Sequence, residues 1–206
     1  MSNKSNFLFN TIAPIYGLFY EKQKKRFIKV IEEVSNDLDI TVYNTVIDIG
    51  CGTGALCSVL YEKGLKVTGI DPADKMLRIA KRQNENINIT FQNANVLDKL
   101  PFEDKSYDIS FASYVAHGLQ KHERKLMYAE MSRITKSKVI IHDYNQKRTL
   151  MTSFIEWLEH GDYFNFIKHA KDEMENCVSE MNECFSEVKA IDVDAKASWY
   201  ICTPKK

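Results

Sequence analysis

The chain has 206 residues and a mass of 23.8 kDa, enough for one hydrophobic core and too short for two full-sized domains. Hydrophobic residues make up 44% and charged residues 27%, a globular composition that excludes extended disorder and a coiled coil. Lys+Arg and Asp+Glu each number 28, so the formal charge is zero and no nucleic-acid partner is expected.

Taken from the amino end, the first twenty residues hold too interrupted an apolar run for a signal peptide, and no segment approaches the roughly 18 apolar residues of a membrane span. The basic run from Lys22 to Arg26 lies where Phe27, Ile31 and Val34 recur at helical spacing, which predicts a solvated helix face, with nuclear targeting or RNA contact as the alternative. Short apolar runs and amphipathic stretches then alternate. Strands are predicted at Val46 to Ile49, Lys66 to Ile70, Ile87 to Phe91, Tyr107 to Phe111 and Lys138 to His142. Helices are predicted at Ala55 to Lys63, Ala73 to Gln83 and His122 to Ile134, the last with Met127, Met131 and Ile134 as its apolar stripe.

Such alternation requires right-handed crossovers and predicts an open parallel sheet, covered on both faces, with a ligand crevice at the carboxyl ends of its strands. A helical region from about Leu150 to Met181 breaks the rhythm. Two strand-like stretches follow, Ser186 to Val193 and Ala197 to Cys202, close enough for an antiparallel hairpin at one sheet edge. The five cysteines, Cys51, Cys57, Cys177, Cys184 and Cys202, include no Cys-x-x-Cys pair and form an odd set. They read as reduced thiols in a cytoplasmic protein, neither a disulfide framework nor a zinc site, and no metal is expected.

The informative segment is VIDIGCGTGALC, from Val46 to Cys57. A strand runs into Gly50, Gly52 and Gly54 and then into a helix, so backbone near the helix start can approach an anionic group with no Cβ in the way. Asp71 ends the next strand 21 positions after Gly50, placed to accept hydrogen bonds from both hydroxyls of a ribose. It can also begin a helix with Pro72. Nicotinamide or flavin dinucleotides and S-adenosylmethionine both use this geometry, and Gly50, Gly52 and Ala55 satisfy the dinucleotide fingerprint. A carboxylate at Asp48 would repel a pyrophosphate and attract the ammonium of a methionine moiety, or else is a strand-end acid held by backbone N–H groups.

These segments resemble the class I S-adenosylmethionine-dependent methyltransferases, in particular the small-molecule group called methyltransferase type 11. VIDIGCGTG is similar to the first motif, VTGIDPADKML to the second-strand motif, and LPFEDKSYDISF to the loop and fourth strand. FNTIAPIYG, from Phe9 to Gly17, resembles the amino-terminal segment of quinone-biosynthesis C-methyltransferases, and Ala116 to Leu119 is similar to the segment after the fourth strand. The resemblance implies an α/β fold of three layers, a Rossmann-like, seven-stranded, mainly parallel sheet with an antiparallel edge strand. Residues 1–40 would form a helical cap, 41–145 the donor-binding core, 150–182 a helical insertion and 183–206 the hairpin.

By the same resemblance, Gly50, Cys51 and Gly52 would contact the methionine half of S-adenosylmethionine, Asp48 its ammonium and Asp71 its ribose. Pro72 and Met76 would lie beside the adenine, Asn93 or Asn95 with Val96 at its edge, and Ser113 near the sulfonium. An in-line displacement on a methyl carbon needs mainly alignment and exclusion of water. A base matters only where the acceptor loses a proton, and His117 and His142, the latter with Asp143, are the candidates, each with ordinary structural burial as its alternative. Tyr16 is placed to cover the donor or orient the acceptor, or else to pack its helix. The aromatics Phe154, Trp157, Tyr163, Phe164 and Phe166, with His160 and His169, suit either a lid or a packed helical pair.

The expected activity is methyl transfer to a small-molecule acceptor, by a monomer or homodimer. The alternatives are an NAD(P)-dependent oxidoreductase, for which no Tyr-x-x-x-Lys relay is present at Tyr114, and a non-catalytic nucleoside-binding protein.

Overall fold

The computed structural model describes residues 3–144, 179–194 and 197–205. Two helices, α1 (Asn3–Leu18) and α2 (Tyr20–Glu33), precede the strand β1 (Thr45–Ile49). Then come α3 (Ala55–Glu62), β2 (Lys66–Asp71), α4 (Asp74–Gln83), β3 (Thr90–Asn93), β4 (Tyr107–Ser113), α5 (Lys121–Ile134) and β5 (Thr135–Tyr144). Residues 179–184 are helical, and β6 (Phe185–Asp192) and β7 (Ala197–Pro204) close the chain. The predicted insertion, with its aromatic residues, lies almost wholly outside the described residues.

All seven strands form one sheet in the order β3-β2-β1-β4-β5-β7-β6. The pairs from β3 to β5 are parallel, and β7 runs antiparallel to both β5 and β6. The predicted hairpin therefore sits at the β5 edge, with its second strand folded inward. Strand alternation sorts the core into two layers. Ile47, Ile49, Ala112 and Ile141 pack with Met127, Met131 and Ile134 of α5, whereas Val46, Val67, Phe111 and Ile140 pack with Val30 and Ile31 of α2, Val34 at its C-cap, and Leu56, Val59 and Leu60 of α3.

The third strand begins later than its sequence pattern suggests. Ile87 and Ile89 donate to Asn84 and Ile87 in turns, and only Thr90 to Asn93 pair with Thr68 to Asp71. The run from Lys22 to Arg26 is less solvated than expected. Lys24 pairs with Glu62 at 2.5 Å and Arg26 with Asp194 at 2.6 Å, while the Arg26 guanidinium lies 5.4 Å from the centre of the Tyr114 ring. These contacts clamp α2 to α3 and to the turn before β7.

Candidate functional site

The chain leaves β1 to build β2 and β3 on one side and β4 and β5 on the other, so the carboxyl ends of β1 and β4 border a crevice at the switch in strand order. The glycine loop sits there. Gly50 has φ +68°, and a Cβ on it would lie 2.7 Å from Val115 Cγ2, so the loop and the segment after β4 touch because no side chain intervenes. Gly52 has φ +53°, and a Cβ there would meet nothing within 4 Å. That position faces open space.

Three loop N–H groups are already bound within the chain, that of Gly54 to Cys51 O at 2.9 Å. Cys51 donates to Ile70 O at 2.9 Å, continuing the β1–β2 ladder, and Gly52 donates to Asp71 Oδ2 at 2.9 Å. The other Asp71 oxygen accepts from Ala73 N–H at 2.8 Å, a bond to a residue two further on, so Ala73 and not Asp71 occupies the N-cap position of α4. Burial pushes the Asp71 carboxyl up to about 6, although both backbone bonds favour its charged form. Asp48 is pushed up to about 7 by burial, against the Cys57 thiol that donates to Oδ2 at 3.3 Å and with the charge of Asp71 adding to the rise. Two carboxyl groups thus flank a loop whose N–H donors are partly spent. That arrangement disfavours an anion such as a pyrophosphate and suits an ammonium or hydroxyl donors.

Cys51 and Cys57 are buried free thiols, as are Cys202 and the half-buried Cys184; Cys177 lies outside the described residues. Gly69 leaves room for the first two, because a Cβ on it would lie 2.8 Å from Cys57 Sγ and 3.0 Å from Cys51 Sγ. Burial raises the Cys51 thiol to about 11, so it is a neutral packing group.

Met76 is buried against Ala13 of α1 and Ala73, and Tyr16 packs half-buried on the same cluster, so the two share one small core beneath α1. Pro72 is partly exposed. The Asn93 side chain donates to Pro72 O at 3.1 Å and Asp74 Oδ1 at 2.8 Å, whereas Asn95 Oδ1 accepts from Leu97 N–H at 3.2 Å. Val96 is buried in the α5-side core. Ser113, at the end of β4, has a buried hydroxyl without a hydrogen-bond partner among the described residues.

The two candidate bases part company. His142 is fully buried on the α2 face, with Tyr114, Phe27 and Trp199 rings 4.7, 5.9 and 6.2 Å from its own. Neither ring nitrogen has a partner among the described residues, and burial, with Arg26 nearby, lowers its pKa to about 4. Its surroundings are those of a core histidine, the structural alternative to a base, although the Tyr114 ring that packs on it also lies 6.5 Å from the His117 ring. His117 lies after β4, where its Nδ1 is 2.9 Å from Asp143 Oδ1 and its backbone N–H donates to Asp143 Oδ2 at 3.1 Å. Strand alternation sends Asp143 to the face opposite His142, so the carboxylate belongs to His117. Sequence reading missed that pairing: the alternation of β5 separates Asp143 from His142 but does not name His117 as its partner.

Sequence reading also missed Gln23 of α2, whose Oε1 accepts from Thr53 Oγ1 at 3.2 Å and ties the amino-terminal helices to the glycine loop.

Residues 46–138 match the profile of a methyltransferase domain family. An uncharacterised methyltransferase of Staphylococcus carnosus is 25% identical over 187 residues, covering 88% of each chain. A demethylmenaquinone methyltransferase of Thermotoga maritima is 31% identical over 142 residues, 64% of this chain and 56% of that one. The chain thus spans little more than half of that relative. A solved structure from Methanococcus maripaludis, described as an S-adenosylmethionine-dependent methyltransferase, shares the fold with a TM-score of 0.71 and 21% identity over 96% of this chain and 94% of that one. With strand order, glycine loop and relatives in agreement, residues 46–138 carry a methyltransferase domain and the chain shares the fold of the S-adenosylmethionine-dependent methyltransferases.

Proposed function

We propose that this chain methylates a small organic acceptor at oxygen, nitrogen or carbon, with the donor over the ends of β1 and β2 and the acceptor over the ends of β4 and β5. The observation that carries the reading is the Asp71 carboxylate, held by Gly52 and Ala73 N–H groups beside the open face of Gly52. Each carboxylate oxygen has a further lone pair with which to accept from a ribose hydroxyl. Gly50, Cys51 and Gly52 present backbone to the methionine half, and Asp48 draws its ammonium electrostatically. Pro72, Met76 and the turn of Asn95 and Val96 border the adenine, and the buried Ser113 hydroxyl lies towards the sulfur. The unpartnered hydroxyl and the open Gly52 position are what a bound polar nucleoside would complete.

S-adenosylmethionine supplies a methyl group already activated on a sulfonium. The chain's own task is to bind, align and dry the two partners, and holding reactants in register contributes about 7 to 11 kcal/mol to lowering a barrier. No side-chain nucleophile is required. Tyr16, on the cluster with Met76, walls the donor side. Because relatives over about half their length carry the demethylmenaquinone name, a quinol-type aromatic ring is the first acceptor to assay. No observation favours the nicotinamide-dependent alternative.

Calorimetry with S-adenosylhomocysteine and NADH tests the donor site, with the homocysteine compound alone expected to bind. Asp71→Ala should weaken that binding by about tenfold to a hundredfold, the worth of hydrogen bonds to a charged group. Asp71→Asn, which keeps one acceptor, should fall between. Undiminished affinity in both folded variants removes the ribose role.

A further inference from the structure

Five large apolar side chains are exposed among the described residues, and three of them fall within five positions: Ile15 at 58%, Leu18 at 83% and Phe19 at 49%. Single exposed apolar residues are ordinary, but a cluster at one helix corner calls for a partner. The corner is built so that these residues cannot turn inward. Ala13 packs on Ala73 and Met76, and Gly17 rests on Ile79, where a Cβ would meet Cγ2 at 3.4 Å. Asn10 Oδ1 accepts from Lys75 N–H at 2.9 Å. One stripe of α1 is thereby committed to α4, and Ile15, Leu18 and Phe19 lie on the other side.

Cations border this ridge from both neighbouring helices. Lys22 and Lys25 stand one turn apart on α2, Lys75, Arg78 and Arg82 lie on α4 on the side of Ile79, and Lys81 lies further round that helix; all are exposed. None of the six enters an ion pair among the described residues, unlike Lys24 and Arg26. The exposed acids of the same stretches are Glu21, Asp74 and Glu85, so six positive charges face three negative ones in a chain of zero formal charge.

We propose that the corner between α1 and α2 docks on an anionic lipid surface, with Ile15, Leu18 and Phe19 entering the headgroup layer and Lys22, Lys25, Lys75, Arg78 and Arg82 meeting lipid phosphates. Shallow insertion of an apolar ridge flanked by Lys and Arg is the physics of interfacial attachment. It requires no spanning segment, and among the described residues no helix is long and apolar enough to cross a membrane. Docking there holds the glycine loop one helix away from the bilayer, since Gln23, on the inner face of α2, hydrogen-bonds Thr53 of that loop. The crevice would then open beside the membrane, where an acceptor dissolved in lipid can be drawn out. The docking surface stands independently of the acceptor's identity, because its test reads binding and not turnover.

The test is cosedimentation of the full chain with vesicles of phosphatidylcholine alone, or of phosphatidylcholine mixed with phosphatidylglycerol, across a salt series. The expected result is binding to the mixed vesicles only, weakened by salt. Arg78→Glu/Arg82→Glu should reduce it about twentyfold or more, given about fivefold per basic contact. Leu18→Asp should reduce it about tenfold or more while S-adenosylhomocysteine affinity stays unchanged. Equal or absent binding to both vesicle types overturns the proposal, as does loss in neither variant. Concentration-dependent dimerisation abolished by Leu18→Asp, without vesicle binding, assigns the ridge to a second copy and also overturns it.

Discussion

Gly50 and Val115 are in contact because position 50 carries no side chain: a Cβ there would sit 2.7 Å from Val115 Cγ2, on a backbone already at φ +68°. Gly52, two residues on, shares the left-handed backbone but has open space where its Cβ would be. Gly50→Ala should therefore cost about 2 to 4 kcal/mol of stability, from overpacking added to backbone strain. Gly52→Ala should cost only about 1 kcal/mol, the strain alone, yet impair donor binding more, because its methyl group enters the open space where the donor is proposed to lie. Denaturant melts and calorimetry on both variants check this, and equal destabilisation would contradict the contact.

The carboxyl groups of Asp48 and Asp71 are raised to about 7 and about 6, chiefly by burial. A carboxyl whose pKa is higher in the folded chain than in the unfolded one binds more protons when folded, so its contribution to stability is full below about pH 4 and is lost as pH rises through the folded value. Asp48→Asn keeps an oxygen for the Cys57 thiol and removes the titration. Relative to wild type without donor, the variant should gain stability between pH 4 and pH 8, by up to about 4 kcal/mol. Thermal melts in matched buffers measure the difference, and a constant offset across that range would refute it. Donor affinity in wild type should rise over the same interval, as Asp48 acquires the charge that attracts an ammonium.

Legibility in the sequence followed the strength of local patterning. The alternation of Val46, Ile47 and Ile49 across two faces, and the stripe of Met127, Met131 and Ile134, reported the layers because each residue's burial depends on its own period. The third strand was misplaced because Ile87 and Ile89 alternate like a strand, whereas Asn84 holds Ile87 in a turn and postpones pairing to Thr90. At the site, the glycine spacing and Asp71 were legible as local motifs. The Asp143 partnership of His117 and the Gln23 link to Thr53 span 26 and 30 positions, and no local pattern encodes such meetings. The cationic border of α1 was hidden likewise, since its charges come from two helices that meet only in the fold.

His142 carries two ring nitrogens without partners among the described residues, inside a cage of Phe27, Tyr114 and Trp199. Its pKa, lowered to about 4, means that the unfolded chain binds the extra proton first, so its stabilising share is present above about pH 6.5 and is lost as pH falls towards 4. His142→Phe removes both the buried polar atoms and this acid lability. At pH 7 the variant should melt within about 1 kcal/mol of wild type, and at pH 5 it should melt higher. Turnover should persist, because the ring lies on the face away from His117. Loss of turnover with normal donor binding would restore His142 to the chemistry.

Asp143 holds His117 at two points, through Nδ1 at 2.9 Å and the backbone N–H at 3.1 Å, which orients the ring at the carboxyl ends of β4 and β5 and commits Nδ1 to the carboxylate. A histidine held in this way presents Nε2 as its basic atom, the tautomer a proton-accepting role requires. Where the acceptor must lose a proton, His117→Ala should lower kcat by about a hundredfold to ten-thousandfold with donor affinity unchanged. Free imidazole should restore part of that rate, since it supplies the missing base without repairing the fold. Asp143→Ala should lower kcat as well, but imidazole should not rescue it, because the native ring still fills the position in the wrong orientation. If both variants lose stability, keep their residual kcat and ignore imidazole, the pair is a clasp between β4 and β5, and alignment alone carries the transfer.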